Sequence, residues 1–392
     1  MSAQEYERKK KENQPVLAIC YDFDKTLSPD NMQAQGYIQS VGYDVAEFWR
    51  ASNELALKND MDQNLAYMYK MMQEADGRIV FNKEKLREYG SRVELFPGVE
   101  EWFERIREYG KERGVIVEHY IISSGLKEMI EGTTVAKAGA FEKIYASSFY
   151  FENGRSAKWP AQVVNYTNKT QFLFRIEKGV LDINDPGVND YFPPEEIRVP
   201  FRNMVYIGDS DTDIPCMKLV DLYGGHSIGV YNPDTNEKAK VYKMMRENRI
   251  KYFAPSDYSE NKELDVLVKS IIDKTAATEK LEAIHESNRK ESAEAYKQNT
   301  AEEQEKIDLI IELEDSSSFS RTHQIIAKLS KITSWSTEQA EQLFEIANQN
   351  SQVFAILSDD DIKRFYKKLS KKHNLSTDAY YSVLRELSQI PN

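Results

Sequence analysis

The chain has 392 residues and a formal net charge of −12. Its length points to two or three domains rather than one core, and the acidic balance argues against a nucleic-acid-binding face, which needs clustered Lys and Arg. A phosphorylated small molecule fits that balance, because one or two local cations and a metal are enough to hold it.

The two cysteines, Cys20 and Cys216, lie outside any CxxC. A disulfide framework and a zinc knuckle are therefore not expected, and a reduced interior is. The opening MSAQEYERKKKENQ is polar and lacks an apolar stretch, so residues 1–13 are expected to be a polar tail without a secretory signal. No apolar run reaches bilayer length. The expected setting is cytoplasmic, with no membrane.

The first strong element is Val16 to Tyr21, short, continuously apolar and rich in β-formers. Such a run suits a strand buried on both faces of a parallel sheet. Residues 30–92 have helical period instead. Tyr37, Ile38, Phe48, Trp49, Leu55, Leu65, Met68, Tyr69 and Met72 form the apolar set of a small helical insert. A second strand is expected from Val115 to Ile122. After a helical start, the stretch to residue 168 becomes rich in Tyr and Phe, and Asn153-Gly154 there signals a β-hairpin near 145–168. Met204 to Ile207 gives a third strand; Ser227 to Tyr231 and Lys251 to Ala254 are candidates for two more.

From residue 276 the composition becomes charged and free of Gly and Pro, which predicts a largely solvated helical connector to residue 318. The cluster Ser316 to Ser318 marks a boundary. Residues 319–392 read as a helical module. Ile325, Ile326, Leu329 and Ile332, then Leu343, Ile346 and Ala347, then Ile362, Phe365, Tyr366 and Leu369, all lie at helical spacing. Ser336 with Gln339, and Ser358 with Asp361, have capping-box spacing. No repeat of fixed period is present.

The three main strands all end in small or acidic residues. In open α/β sheets ligands sit beyond the carboxyl ends of the strands, so three polar strand ends predict one shared site. The first is Tyr21-Asp22-Phe23-Asp24-Lys25-Thr26, of the form D-x-D-x-T. Alternation in an extended chain puts Asp22 and Asp24 on one side. Two such carboxylates repel unless a divalent cation or a shared proton joins them, and a hard cation such as Mg²⁺ takes oxygen ligands and a substrate phosphate. One carboxylate can attack phosphorus; the other can protonate the leaving oxygen and later activate water. Taken alone, the motif could equally be a pair of acids capping the next helix.

The second strand end, Gly208-Asp209-Ser210-Asp211-Thr212-Asp213, supplies two more acids behind a glycine that permits a tight turn. Asp209 is the natural metal ligand, Asp213 a second acid on the metal or its waters, and Asp211 solvated. The third, Ser123-Ser124-Gly125, can donate hydrogen bonds to a phosphoryl oxygen, although such a tripeptide is commonly only a helix cap. The five histidines, His119, His226, His285, His323 and His373, show no metal-ligand spacing, and His119 on a strand reads as core.

In this order, YDFDKT, then IISSG, then a Lys, then GDSDTD, the chain resembles the haloacid dehalogenase superfamily over about residues 14–275. Its phosphatase branch, similar to phosphoserine phosphatase, is the nearest in pattern. The resemblance implies an α/β fold: a Rossmann-like parallel sheet with helices on both faces, formed by 14–29 and 93–275. It also implies a helical cap at 30–92, and 276–392 lies outside it as an all-α extension. It implies Asp22 as nucleophile, Asp24 as general acid and base that also gives its carbonyl to Mg²⁺, and Asp22, Asp209 and Asp213 around that ion. Ser123 is the second-motif hydroxyl, with Ser124 and Gly125 beside it at the phosphate. The family's neutralising lysine is assigned to Lys169, with Lys178 and then Lys158 as rivals. Dehalogenases with this fold lack the acid found at Asp24. Cation-pumping ATPases carry D-K-T-G-T, where this chain has Leu27 and no membrane spans. A cap would exclude water and read the leaving group; Met32 and Gln33 are the candidates for that contact. The expected activity is Mg²⁺-dependent hydrolysis of a small phosphorylated metabolite. The alternatives are a phosphoprotein phosphatase, and an effector whose segment 276–392 binds a protein partner.

Overall fold

The six uncharged residues Val16–Tyr21 form β1 at the centre of a sheet, and their side chains alternate between its two faces. Leu17, Ile19 and Tyr21 enter one buried cluster, while Val16, Ala18 and Cys20 enter another. Burial on both faces explains the unbroken apolar run. The structure is a computed structural model that describes residues 6–153, 156–298 and 301–389. The chain divides into two units, Met1–Glu282 and Ala283–Asn392.

In the first unit β2 (Ile116–Leu126), β3 (Lys143–Glu152), β4 (Ser156–Gln162), β5 (Met204–Gly208), β6 (His226–Tyr231) and β7 (Tyr252–Pro255) join β1 in the order β4-β3-β2-β1-β5-β6-β7. All neighbours are parallel except β3 and β4. Tyr21 lies opposite Ile121 on one side and Ile207 on the other. That register brings the three motif-bearing strand ends to one edge.

Between β1 and β2 the chain forms α1 (Tyr37–Ser40), α2 (Val45–Lys58), α3 (Gln63–Ala75) and α4 (Lys83–Gly90), followed by α5 (Val99–Glu112) against the sheet. Tyr37, Ile38, Phe48 and Met68 are buried as the helical spacing requires, but Tyr69 is half exposed, on the outer face of α3. Trp102, Phe103 and Ile106 of α5 cover one sheet face. The short α6 (Lys127–Gly132) and α7 (Thr134–Lys137) lead into β3, whereas α8 (Thr170–Lys178), α9 (Ile214–Leu222) and α10 (Ala239–Arg246) cover the other face. His119 is a core residue: its ring lies between the Tyr21 hydroxyl (3.0 Å) and the Phe103 carbonyl (3.2 Å), and burial lowers its pKa to about 3. Cys20 and Cys216 are buried free thiols.

The structure refines four of these readings. Ser123-Ser124-Gly125 does not cap a helix; β2 runs on to Leu126, and its pairing with β3 shifts between Ser123 and Leu126. The expected hairpin is more than an insert, since β3 pairs parallel with β2 as a core strand before turning into β4. Asn153 has a φ of 52° there, and Gly154 lies outside the described residues. The stretch before residue 14 is tied down from residue 8: Arg8 donates to the Lys178 and Glu196 carbonyls, and Lys9 N to the Gly179 carbonyl. The connector helix begins early. Helix α11 (Glu263–Gln298) buries Leu264, Val268, Ile271 and Ile272 against the sheet before its charged part begins.

A buried ion-pair cluster sits at the other end of β2. Arg198 donates to both carboxylate oxygens of Glu118 (2.7 and 2.8 Å) and to Glu12, and Tyr120 donates to Glu118 at 2.6 Å. Burial alone would raise the Glu118 pKa, but these partners and Lys9 outweigh it and hold the carboxyl at about 2. A carboxyl depressed below its ordinary value stabilises the fold above that value and ceases to as pH falls toward the depressed one. Glu118→Gln is expected to cost about 1–3 kcal/mol, because Arg198 loses its bidentate charged partner and keeps Glu12. Melting temperatures between pH 7 and pH 2 check this: the wild-type advantage must shrink below about pH 4.5, and parallel curves would contradict it.

The second unit contains α12 (Ala301–Glu314), α13 (Phe319–Leu329), α14 (Thr337–Gln349), α15 (Ser351–Ala355), α16 (Asp360–Lys372) and α17 (Asp378–Gln389). Its core already includes Leu309, Ile310 and Leu313, so it starts before the serine cluster expected to bound it. Ser336 and Gln339 form the expected capping box, and Ser318 caps α13. Ser358 does not cap α16; Asp359 holds that position, and Asp361 lies 2.8 Å from His323 Nδ1. No helix among the described residues is long and apolar enough to cross a membrane.

Candidate active site

Asp22 is the first residue beyond β1, and its backbone N–H bonds the Ile207 carbonyl of β5 at 2.9 Å. The side chain is thereby placed between the ends of β1 and β5. Carboxylate oxygens of Asp22, Asp209 and Asp213 all lie within 4.8 Å of one another, with Asp22 and Asp213 buried. Gly208 permits this spacing, because a Cβ there would stand 2.5 Å from Asp213 Oδ2.

Lys169 is fully buried at the start of α8 and lies between two of these acids. Its Nζ is 2.7 Å from Asp213 Oδ1 and 3.3 Å from Asp22 Oδ1. Burial would lower its pKa, but Asp213 and Asp22 raise it instead, so the ammonium stays charged. The rival lysines lie elsewhere. Lys178 donates to the Val188 and Asp190 carbonyls, and Lys158 is exposed on β4 near Glu152.

Asp213 has no free oxygen. Oδ1 takes Lys169 and the Tyr206 hydroxyl (3.0 Å), while Oδ2 takes the Ser210 N–H (3.1 Å) and hydroxyl (3.0 Å). Asp209 is more open and faces Lys240 at 3.7 Å. Burial and the neighbouring carboxylates push Asp22 up to about 6 and Asp209 to about 7. Asp211 is exposed, as expected.

Asp24 stands apart from this triad. Its Oδ1 accepts from the Met32 N–H at 2.8 Å, and burial followed by the charge of Asp22 raises its pKa to about 8. Such a carboxyl holds a proton near neutrality. A Cβ on Gly125 would collide with Met32 Cε and come within 3.0 Å of Asp24 Oδ2, so the open backbone of Gly125 leaves that oxygen accessible. Ser123 is buried, and its hydroxyl accepts from the Gly125 N–H at 3.0 Å. The Ser124 hydroxyl is buried with no hydrogen-bond partner among the described residues, as is Gln33 Oε1. Met32 and Gln33 form a buried 3-10 turn directly after the first motif.

The sequence therefore names the acids, the serines and one lysine that the fold brings to a single edge. It did not single out Tyr206, Lys240 or Tyr67. Tyr67 of α3 donates to the Ser124 carbonyl at 2.7 Å, so the inserted helices reach the second motif directly. An aromatic at helical spacing gives no sign of this, because it reads as core.

The family of haloacid dehalogenase-like hydrolases matches residues 19–218 of the chain. An uncharacterized protein of Borreliella burgdorferi is 28% identical over 286 residues, covering 64% of this chain and 95% of that protein. Among solved structures, a probable phosphoserine phosphatase from Vibrio cholerae is similar with a TM-score of 0.44 and 13% identity, covering 68% of this chain and 67% of that one. A HAD family hydrolase from Salmonella enterica serovar Typhi gives 0.40 and 18%, covering 58% and 67%. The family match begins within β1, takes in β2 and β5 with Asp22, Asp24, Asp209 and Asp213, and extends over slightly more than half of the sequence, so the chain belongs to the haloacid dehalogenase-like hydrolases.

Proposed function

We propose that the chain hydrolyses a small phosphorylated metabolite with Mg²⁺, through an aspartyl-phosphate on Asp22. The observation that carries this reading is the fully buried Lys169 held between Asp22 and Asp213, with Asp209 closing an all-oxygen acidic group beside it. The donor set suits a hard divalent ion and no soft one. Asp22 and Asp209 have the oxygens to hold it, together with the Asp24 carbonyl. Asp213, whose oxygens are all engaged, anchors Lys169 instead. When bound, Mg²⁺ supplies positive charge that neutralises the transferring phosphoryl oxygens.

The residues divide the rest of the work. Lys169 offsets charge on Asp22 and on the phosphoryl group, while the Ser123 hydroxyl, set by the Gly125 N–H, and the unpartnered Ser124 hydroxyl donate to its oxygens. Asp22 attacks phosphorus, the bond to the leaving oxygen breaks, and the proton on Asp24 passes to that oxygen. Asp24 then takes a proton from water as the water attacks the phosphorus, and inorganic phosphate and free Asp22 result.

A panel of phosphorylated metabolites with Mg²⁺ tests the reading. EDTA is expected to abolish turnover and added Mg²⁺ to restore it. Turnover indifferent to EDTA, or no phosphate ester hydrolysed, would remove the proposal.

A further inference from the structure

Lys169 leaves a turn spelled Asn165-Tyr166-Thr167-Asn168, and Asn165 organises it. Its Oδ1 accepts from Thr167 N (3.0 Å), Thr167 Oγ1 (2.6 Å) and Asn168 N (3.2 Å), and its carbonyl accepts from Lys169 N at 3.1 Å. This is an Asx turn, in which the side chain substitutes for backbone partners. Asn168 closes the loop, accepting from Asn165 N and donating to the Val163 carbonyl, both at 2.8 Å.

One donor of Asn165 points away from the turn. Its Nδ2 donates to Asp62 Oδ2 at 3.0 Å. Asp62 is the N-cap of α3, and its other oxygen accepts from Asn64 N and Leu65 N. Asn64 adds a second tie, from Nδ2 to the Val164 carbonyl at 3.0 Å. The start of α3 therefore holds the Lys169 turn at two points, and Tyr67 of the same helix holds the second motif at Ser124.

We infer that Asn165 is a positioning residue, which ties the placement of Lys169 to the start of α3. The inference rests on the hydrolase reading above. Its physical basis is the unequal grip of Lys169. Its contact with Asp213 is short and its contact with Asp22 longer, so a small shift of the turn forfeits the Asp22 contact first.

The test uses the full chain with Mg²⁺ and para-nitrophenyl phosphate, comparing Asn165→Asp, Asp62→Asn and the double exchange. Asn165→Asp keeps the acceptor oxygen of the turn but replaces the donor facing Asp62 with a second carboxylate. The double exchange restores a donor–acceptor pair in the reverse sense, and Asn remains a good N-cap. Asn165→Asp is expected to lower kcat roughly 100-fold, as a displacement of about 1 Å can, with KM near the wild-type value, and the double exchange to recover most of the loss. A role in folding alone would reduce the yield of folded protein without changing kcat per folded molecule. Wild-type kcat in Asn165→Asp, or a double exchange no better than the single variant, overturns the inference and leaves the hydrolase reading standing. Wild-type protein inert on every phosphate ester overturns both.

Discussion

Asp22→Asn is expected to lose nearly all turnover, with kcat falling by roughly 10⁴- to 10⁶-fold, as when a nucleophile is removed from a covalent mechanism. An amide cannot carry the phosphoryl group through to free enzyme, and neither Asp24 nor Asp209 can replace it. Asp24 is held by the Met32 N–H outside the acidic triad. Asp209 lies in the triad but faces Lys240 rather than Lys169. The same change should not unfold the protein. Asp22 is kept high, at about 6, first by burial and then by Asp213, so its charge is a cost that an amide avoids. A melting temperature in EDTA at or above that of wild type, combined with lost turnover, is the expected pair of results. An active variant would remove Asp22 from the nucleophile's role; an inactive variant that is also unfolded would show that Asp22 holds the sheet edge together. The first pair is what a functional site predicts, because acids gathered for chemistry are seldom arranged for stability.

The parts of this site that could be read in the sequence are those written into short segments. A strand of six apolar residues followed by Asp-x-Asp fixes both the position of Asp22 at a sheet edge and the side on which it emerges. The same holds for Gly208 to Asp213. Lys169 was legible only as one of three lysines, since a buried ammonium and a solvated one look alike until the chain is folded. What separates Lys169 from Lys178 is the company of Asp213, 44 residues away. Contacts between distant segments were the least accessible. Tyr67 meets Ser124 across 57 residues, and Asn165 meets Asp62 across 103. Nothing in the stretch Asn165-x-Thr167-Asn168 points to a cap residue on a distant helix. The boundary near 276 was found from charge, and charge reports where α11 ceases to be buried, whereas the helix itself begins at Glu263.

Lys169→Met carries the second large effect, and it separates catalysis from stability in the opposite way to Asp22→Asn. The substitution keeps a long unbranched chain but removes the only cation between Asp22 and Asp213 among the described residues. Asp213 then stays buried with the Tyr206 hydroxyl and Ser210 as its remaining partners. Stranding a buried charge costs about 3–5 kcal/mol, so the variant should melt well below wild type in EDTA. Turnover should fall by roughly 10²- to 10³-fold, the usual loss when one preorganised electrostatic partner is removed. Mg²⁺ distinguishes this from simple damage. A divalent ion on Asp22 and Asp209 restores part of the missing positive charge, so adding it should raise the melting temperature of Lys169→Met more than that of wild type. An equal rise in both proteins would mean that Lys169 and the metal do not share the same carboxylates, and the site would have to be redrawn around Asp209 and Lys240.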